Sequence, residues 1–353
     1  MLKGFSDVVR ELGTDAFLIV KKPNVRYVSG YTGDDSYLLI SPLKRFFLTD
    51  PRYTEQAGEE CPDFEIINQR AEGGFGACIG RLCRENGIGS LAFEADAVNV
   101  LLYNDLKRCF SGELVPVTDT VEKLRSVKNE TEIQYLRNAC EISCRAFRRL
   151  LNDIRVGVTE KELAAKLSLY MVQEGADTQP YGNILISGAR TSLLHGIPSE
   201  KSVAYGDLVL MDFGCQFNGY LSDMTRTVVV GKANAEQKRV YALEKQMIED
   251  AEKQMRAGAS LKAVYEASIA CIKDTEYYQY HYTGIGHGIG MFVHEMPFIG
   301  PKADTVFRAG NVQTIEPGLY IPGWGGIRIE DQVLITQEGY ENMISIPHDL
   351  IEL

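Results

Sequence analysis

Residues 207–231 read DLVLMDFGCQFNGYLSDMTRTVVVG, two apolar runs joined by Asn218-Gly219. Asn-Gly between alternating apolar residues is the strongest short hairpin signal, because a two-residue turn of the favoured hand needs positive φ at both central positions. Such a turn pairs Phe217 with Tyr220 and Gly214 with Asp223. Side chains alternate along a strand, so Leu208, Leu210 and Asp212 share one face. Asp212 and Asp223 then fall diagonally adjacent on that face. Two carboxylates on a largely apolar surface are costly to bury unpaired. Either Arg226 or another cation neutralises them, or they hold a metal ion.

Residues 312–331, VQTIEPGLYIPGWGGIRIED, repeat the design. Glu316 ends a strand at Pro317-Gly318. After a turn rich in Pro and Gly, Arg328 and Glu330 share a face of the next strand. Each hairpin thus offers two inward-pointing acids. Between the hairpins, residues 284–295 read GIGHGIGMFVHE and carry two of the chain's five histidines. This is no GxGxxG phosphate cradle, because Ile289 and Met291 stand where the last glycine belongs. It is no HExxH helix either, since Phe298 replaces the second ligand and Pro297 breaks the helix. What remains is a turn whose glycines let the backbone pass close to a metal, with His287 as a ligand. His294 is seven residues on, so a further turn inside the segment is needed to bring it to the same side. Either histidine alone could be a hydrogen-bonded core residue. Together with four acids they make a hard, oxygen-rich site suited to divalent Mn, Co, Fe or Zn, and less to Mg.

The rest of the chain is ordinary globular sequence, with 45% hydrophobic and 24% charged residues. Its 353 residues exceed what a single core usually holds and predict two domains. A net charge of −11 argues against a nucleic-acid partner. No run of about 18 apolar residues and no signal-peptide pattern is present, so no membrane span and a cytoplasmic location are expected. The eight cysteines include no CxxC pair, and Cys140 and Cys144 read as core residues.

The first part predicts a small α/β unit: apolar runs at 15–20, 36–41 and 45–50 alternate with amphipathic stretches such as 79–86. Near Val121 the character changes, which places a boundary between residues 1–123 and 124–353. Asn129 with Glu132 reads as a capping box opening a helix over 130–152. Its apolar face runs through Ile133, Leu136, Cys140, Cys144, Phe147 and Leu151. A second helix over 160–174, capped by Thr159 with Glu162, leads into the first hairpin. Helices over 235–256 and 261–274 lead into the second. Helix pair then strand pair, twice over, predicts two related halves facing each other.

Five segments in this order resemble the metallopeptidases of the pita-bread fold, the group of prolidase, aminopeptidase P, methionine aminopeptidase and creatinase. They are SLLHGIPS (192–199), LMDFGCQFNGYLSDMTRTVVVG (210–231), GHGIGMFVHE (286–295), TIEPGLY (314–320) and GGIRIEDQVLIT (325–336). Residues 25–40 and 47–57 are similar to the non-catalytic amino-terminal domain that prolidases and aminopeptidases P share. The resemblance implies an α/β (α+β) chain, with that small α/β domain followed by a pita-bread domain of two pseudo-symmetric halves. It implies two divalent ions, manganese foremost with cobalt, zinc or iron as alternatives, held by Asp212, Asp223, His287, Glu316 and Glu330. Asp223 and Glu330 would bridge the ions. His195 and His294 match histidines that handle substrate and proton transfer, Arg328 an arginine beside the site, and Glu316 a base as well as a ligand. One departure stands out: many relatives carry a histidine where this chain has Thr283, with His281 two residues further back. The implied activity is hydrolysis of an X-Pro bond next to a free amino terminus, leaning to Xaa-Pro dipeptidase over aminopeptidase P, in a homodimer. A methionine aminopeptidase would lack such an amino-terminal domain, and a creatinase-like enzyme works without the metals. A non-catalytic binding protein of the same fold would have lost ligands, and all five are present.

Overall fold

The computed structural model describes residues 5–179 and 181–353. The chain divides into two compact units between Leu124 and Arg125.

The first unit is built on a sheet whose strands lie in the order Glu65–Asn68, Arg45–Thr49, Tyr37–Ile40, Ala16–Ile19, Ser90–Glu94, Glu113–Val117. Both pairings of Tyr37–Ile40 are antiparallel and the others are parallel. The central strand Ala16–Ile19 is fully buried because helices cover both faces, which is why it reads as a continuous apolar run. Ala16 and Leu18 pack toward Cys78, Ile79 and Leu82 on the helix Phe75–Glu85. Phe17 and Ile19 face the opposite layer, with Val25, Val28 and Ala57.

In the second unit the helix Glu130–Leu150 begins at the expected capping box: the Glu132 amide donates to Asn129 Oδ1 at 3.1 Å and the Asn129 amide to Glu132 Oε2 at 2.9 Å. Its buried face carries Ile133, Leu136, Cys140, Cys144 and Phe147, with Leu151 partly buried. The helix Glu160–Gln173 packs beside it and carries the capping box of Thr159 and Glu162. Both cover the sheet Met224–Val229, Leu208–Phe213, Ile184–Ser187. The helices Ala235–Glu252 and Leu261–Ile269 cover the sheet Glu295–Ile299, Gly286–Gly288, Val312–Ile315, Asp331–Ile335, Tyr340–Asn342. They stop short of the expected ends at 256 and 274. The chain leaves the first through Gly258 (φ 82°) and re-enters helix at the Ser260 cap. Two apolar cores form, each taking residues from both halves, and the halves are joined where the Glu330 amide donates to the Thr225 carbonyl at 3.0 Å. This is the pita-bread architecture, with a mixed α/β unit preceding it.

No helix among the described residues is long and apolar enough to cross a membrane. All eight cysteines are free, with Cys140 and Cys144 buried in the core.

Candidate metal centre

The first hairpin forms in the expected register. Asn218 and Gly219 both have positive φ, 50° and 85°, and Phe217 pairs with Tyr220. Beyond the turn Met224 pairs with Phe213 and Thr225 with Asp212, so Asp223 lies diagonal to Asp212. Arg226 does not neutralise either acid. Its guanidinium points to the other side of the strand and donates to Asp331 Oδ1 at 2.6 Å, with Arg226 1% exposed. Asp212 instead accepts from Arg328, which the second hairpin delivers. In that hairpin Gly318 pairs with Arg328. The strand ends there, however, and Glu330 does not continue it. It stands in a single bridge to Thr225, which turns its carboxylate to the face shared with Asp223.

His287 lies in the short strand Gly286–Gly288 and not in the expected turn. The glycines serve the sheet. A Cβ on Gly286 would fall 2.3 Å from the Thr314 carbonyl oxygen, and one on Gly288 would fall 2.3 Å from that of Met296. Only bare backbone fits between these neighbours. The ladder slips by two residues after His287, so that Gly288 pairs with Glu295, and the bend that follows brings His294 back, its ring centroid 4.5 Å from that of His287.

All eight residues singled out in the sequence line one cavity of about 290 Å³: His195, Asp212, Asp223, His287, His294, Glu316, Arg328 and Glu330. One atom each of Asp223, His287 and Glu330 lie within 4.8 Å of one another. His287 Nε2 is 3.2 Å from Glu316 Oε1 and 3.9 Å from Asp223 Oδ2. Its Nδ1 faces the Gly288 carbonyl at 3.0 Å, which leaves Nε2 toward the acids. His195 is exposed at the rim, in the turn after Ser192.

The electrostatics fit a divalent cation. Burial, and for Asp223 and Glu330 the charge of a neighbouring acid, push the carboxyls of Asp212, Asp223 and Glu330 above their ordinary range. Glu316 runs the other way: burial opposes its charge, but the hydrogen bond and charge of His287 hold its carboxyl below that range. Burial also opposes the His287 cation, yet the Glu316 hydrogen bond and charge raise it to about 9. Four acids, Asp223 and Glu330 buried and Asp212 and Glu316 partly so, therefore face one guanidinium and one imidazole. Glu330 Oε1 is buried without a hydrogen-bond partner, the orphan that a cation would satisfy. Oxygen donors with one imidazole nitrogen form a set suited to Mn, Co, Fe or Zn.

Several supporting residues lie outside the set singled out in the sequence. Tyr181 donates to Asp223 Oδ1 at 2.9 Å. Tyr320 accepts from Arg328 Nη1 at 2.8 Å. Thr225 donates to Glu330 Oε2 at 2.7 Å, and its register opposite Asp212 was available to find it. A second grouping, Glu252, Asp331 and His348, lies away from the cavity. There Asp331 already receives Arg226, Asn342 and His348, so it forms a matched ion-pair network.

Residues 134–337 match metallopeptidase family M24, and residues 1–127 match the creatinase/prolidase N-terminal domain. An uncharacterized peptidase of Bacillus subtilis (strain 168), YqhT, is 38% identical over 357 residues, covering 100% of this chain and 99% of that protein. The Xaa-Pro dipeptidase from Bacillus anthracis has a TM-score of 0.95 at 35% identity, covering 100% of this chain and 99% of its own. The X-Pro aminopeptidase from Thermotoga maritima MSB8 has a TM-score of 0.91 at 35% identity, over 98% of this chain and 100% of its own. The chain is an enzyme belonging to metallopeptidase family M24.

Proposed function

We propose that this peptidase hydrolyses X-Pro bonds next to a free amino terminus, as an Xaa-Pro dipeptidase. The observation that carries the reading is the single cavity lined by four acids, three histidines and Arg328. The likeness to both an Xaa-Pro dipeptidase and an X-Pro aminopeptidase supports the substrate class and keeps aminopeptidase P as the second reading. In this account residues 1–123 are the non-catalytic domain and residues 124–353 the catalytic one. Asp212, Asp223, His287, Glu316 and Glu330 hold two divalent ions, manganese first among them.

When bound, such ions acidify water and polarise a carbonyl oxygen. The remaining work falls to the side chains. Glu316, whose carboxyl stays ionised, takes the proton of the attacking water. Burial lowers the pKa of His294. A neutral His294 donates its one N–H to the oxygen that gains charge as the tetrahedral carbon forms; the proton that Glu316 took passes to the leaving nitrogen as the C–N bond breaks. Arg328, buried and bonded to Tyr320 and Asp212, fixes the wall beside the reacting carbonyl. His195, exposed at the rim, meets the end of the substrate. An X-Pro bond has no N–H, so a site that reads the ring and the peptide ends replaces the usual main-chain recognition.

The test is cleavage of paired substrates, an X-Pro dipeptide and an X-Pro-Y tripeptide, by manganese-loaded protein. Cleavage confined to the dipeptide is the expected result. Efficient cleavage of the tripeptide would move the assignment to aminopeptidase P, and cleavage of neither would overturn it.

A further inference from the structure

The wall of the cavity around Thr283 is occupied by an unexpected side chain. Neither Thr283 nor His281 lines the cavity, whereas Tyr282 between them does. His281 is tied elsewhere. Its backbone bridges to Leu319, its Nε2 lies 3.0 Å from the Tyr265 hydroxyl, and its ring packs against Tyr278 at a tilt of 37° with centroids 4.7 Å apart. With His281 pinned, the alternating backbone sends Tyr282 to the cavity side. A Cβ on Gly284 would come within 3.0 Å of Tyr282 Cε1, so the ring lies over the bare backbone of that glycine. Phe298 lines the same cavity. Tyr282 is 51% exposed and Phe298 55%, so both residues keep uncovered apolar surface.

From this geometry we propose that Tyr282, with Phe298 lining the same cavity, is the specificity-determining wall of the site. It selects a large apolar or aromatic side chain on the residue before proline. The inference rests on the X-Pro reading, which fixes the proline and leaves that residue as the variable one. Two half-exposed aromatic residues gain by covering apolar area, and a substrate aromatic ring can stack against them edge-on or offset. An acidic side chain there would instead lay its charge against apolar ring surface, where it loses water without gaining a partner. The site is therefore apolar at its mouth and polar at its floor, a division that sorts peptides by their first side chain.

Two measurements on the full-length protein test this. Initial rates of the manganese-loaded enzyme on Phe-Pro and Gly-Pro give the ratio of kcat/KM. Calorimetric binding of the same dipeptides to metal-stripped protein gives a ratio that needs no turnover. The expected preference for Phe-Pro is about tenfold or more in both. Tyr282→Ala brings the ratio close to one, with the loss falling mainly on Phe-Pro, and Tyr282→Phe retains it. A wild-type ratio near one, or a preference that survives in Tyr282→Ala, would overturn the proposal. Should neither dipeptide be cleaved, the X-Pro reading falls, and the binding ratio alone then decides whether Tyr282 selects apolar side chains.

Discussion

The rings of His287 and His294 stand edge to face with centroids 4.5 Å apart, although seven residues separate them. The bend between them gives two imidazoles opposite characters. His287 is drawn into the acids, and its pKa rises to about 9 despite its burial. Burial lowers that of His294. One imidazole is thus committed to the charge cluster, and the other stays neutral and free to exchange a proton.

Their substitutions should therefore separate. His294→Ala is expected to lower kcat by about 10²–10⁴-fold, the usual worth of a general acid or oxyanion donor, with bound metal retained. His287→Ala is expected to lose metal as well as activity. Metal analysis alongside kinetics checks this, and metal loss in His294→Ala would reverse the two roles.

Glu295, directly behind His294, ties the bend to the start of the second unit. It accepts from Arg125, from Lys128 Nζ at 3.2 Å and from the Phe292 amide at 3.0 Å, and the side chains of Glu295, Arg125 and Lys128 are buried. Glu295→Ala leaves two buried cations without this partner and should cost about 3–5 kcal/mol. Adding Lys128→Met should recover part of that loss. Urea denaturation reads both variants, and a Glu295→Ala chain of wild-type stability would contradict the arrangement.

The network of Glu252 and His348 sets a pH dependence of stability. Burial first, and then the charge of Asp331, push the Glu252 carboxyl up to about 7 from an ordinary 4.5. Burial opposes the His348 cation, but its hydrogen bond to Asp331 and that residue's charge raise its pKa above 6.5. Both folded values exceed the unfolded ones, so each contribution is complete below the unfolded pKa and lost as pH rises through the folded one. For Glu252 the window runs from 4.5 to about 7, and His348 loses its share above 6.5. Unfolding free energy should fall between about pH 5 and pH 8, and Glu252→Gln should remove on the order of 3 kcal/mol of that fall. An unchanged slope in the variant would contradict this.

What the sequence disclosed follows from the range of the forces involved. The Asn218-Gly219 turn is local, so the pairing of Phe217 with Tyr220 and the diagonal placement of Asp212 and Asp223 could be read directly. The capping boxes at Asn129 and Thr159 are equally local. The partner of Arg226 was not legible, because Asp331 lies about a hundred residues away and reaches it only through the fold. The glycines around His287 suggested a turn, but their use is steric contact with strands that are remote in sequence. Glu330 left its strand for the same reason, drawn into a single bridge by Thr225 of the other half. Tyr282 was invisible because its orientation depends on where His281 is tied.

The most direct test of the central claim is X-Pro dipeptide hydrolysis by chelator-stripped protein before and after manganese is added, with bound metal counted in the same samples. The account predicts that activity disappears with the metal and returns as about two ions bind per chain, with a rise in melting temperature from binding to the native state. A stripped chain that still cleaves, or a chain that holds its ions and cleaves no X-Pro bond, would contradict it.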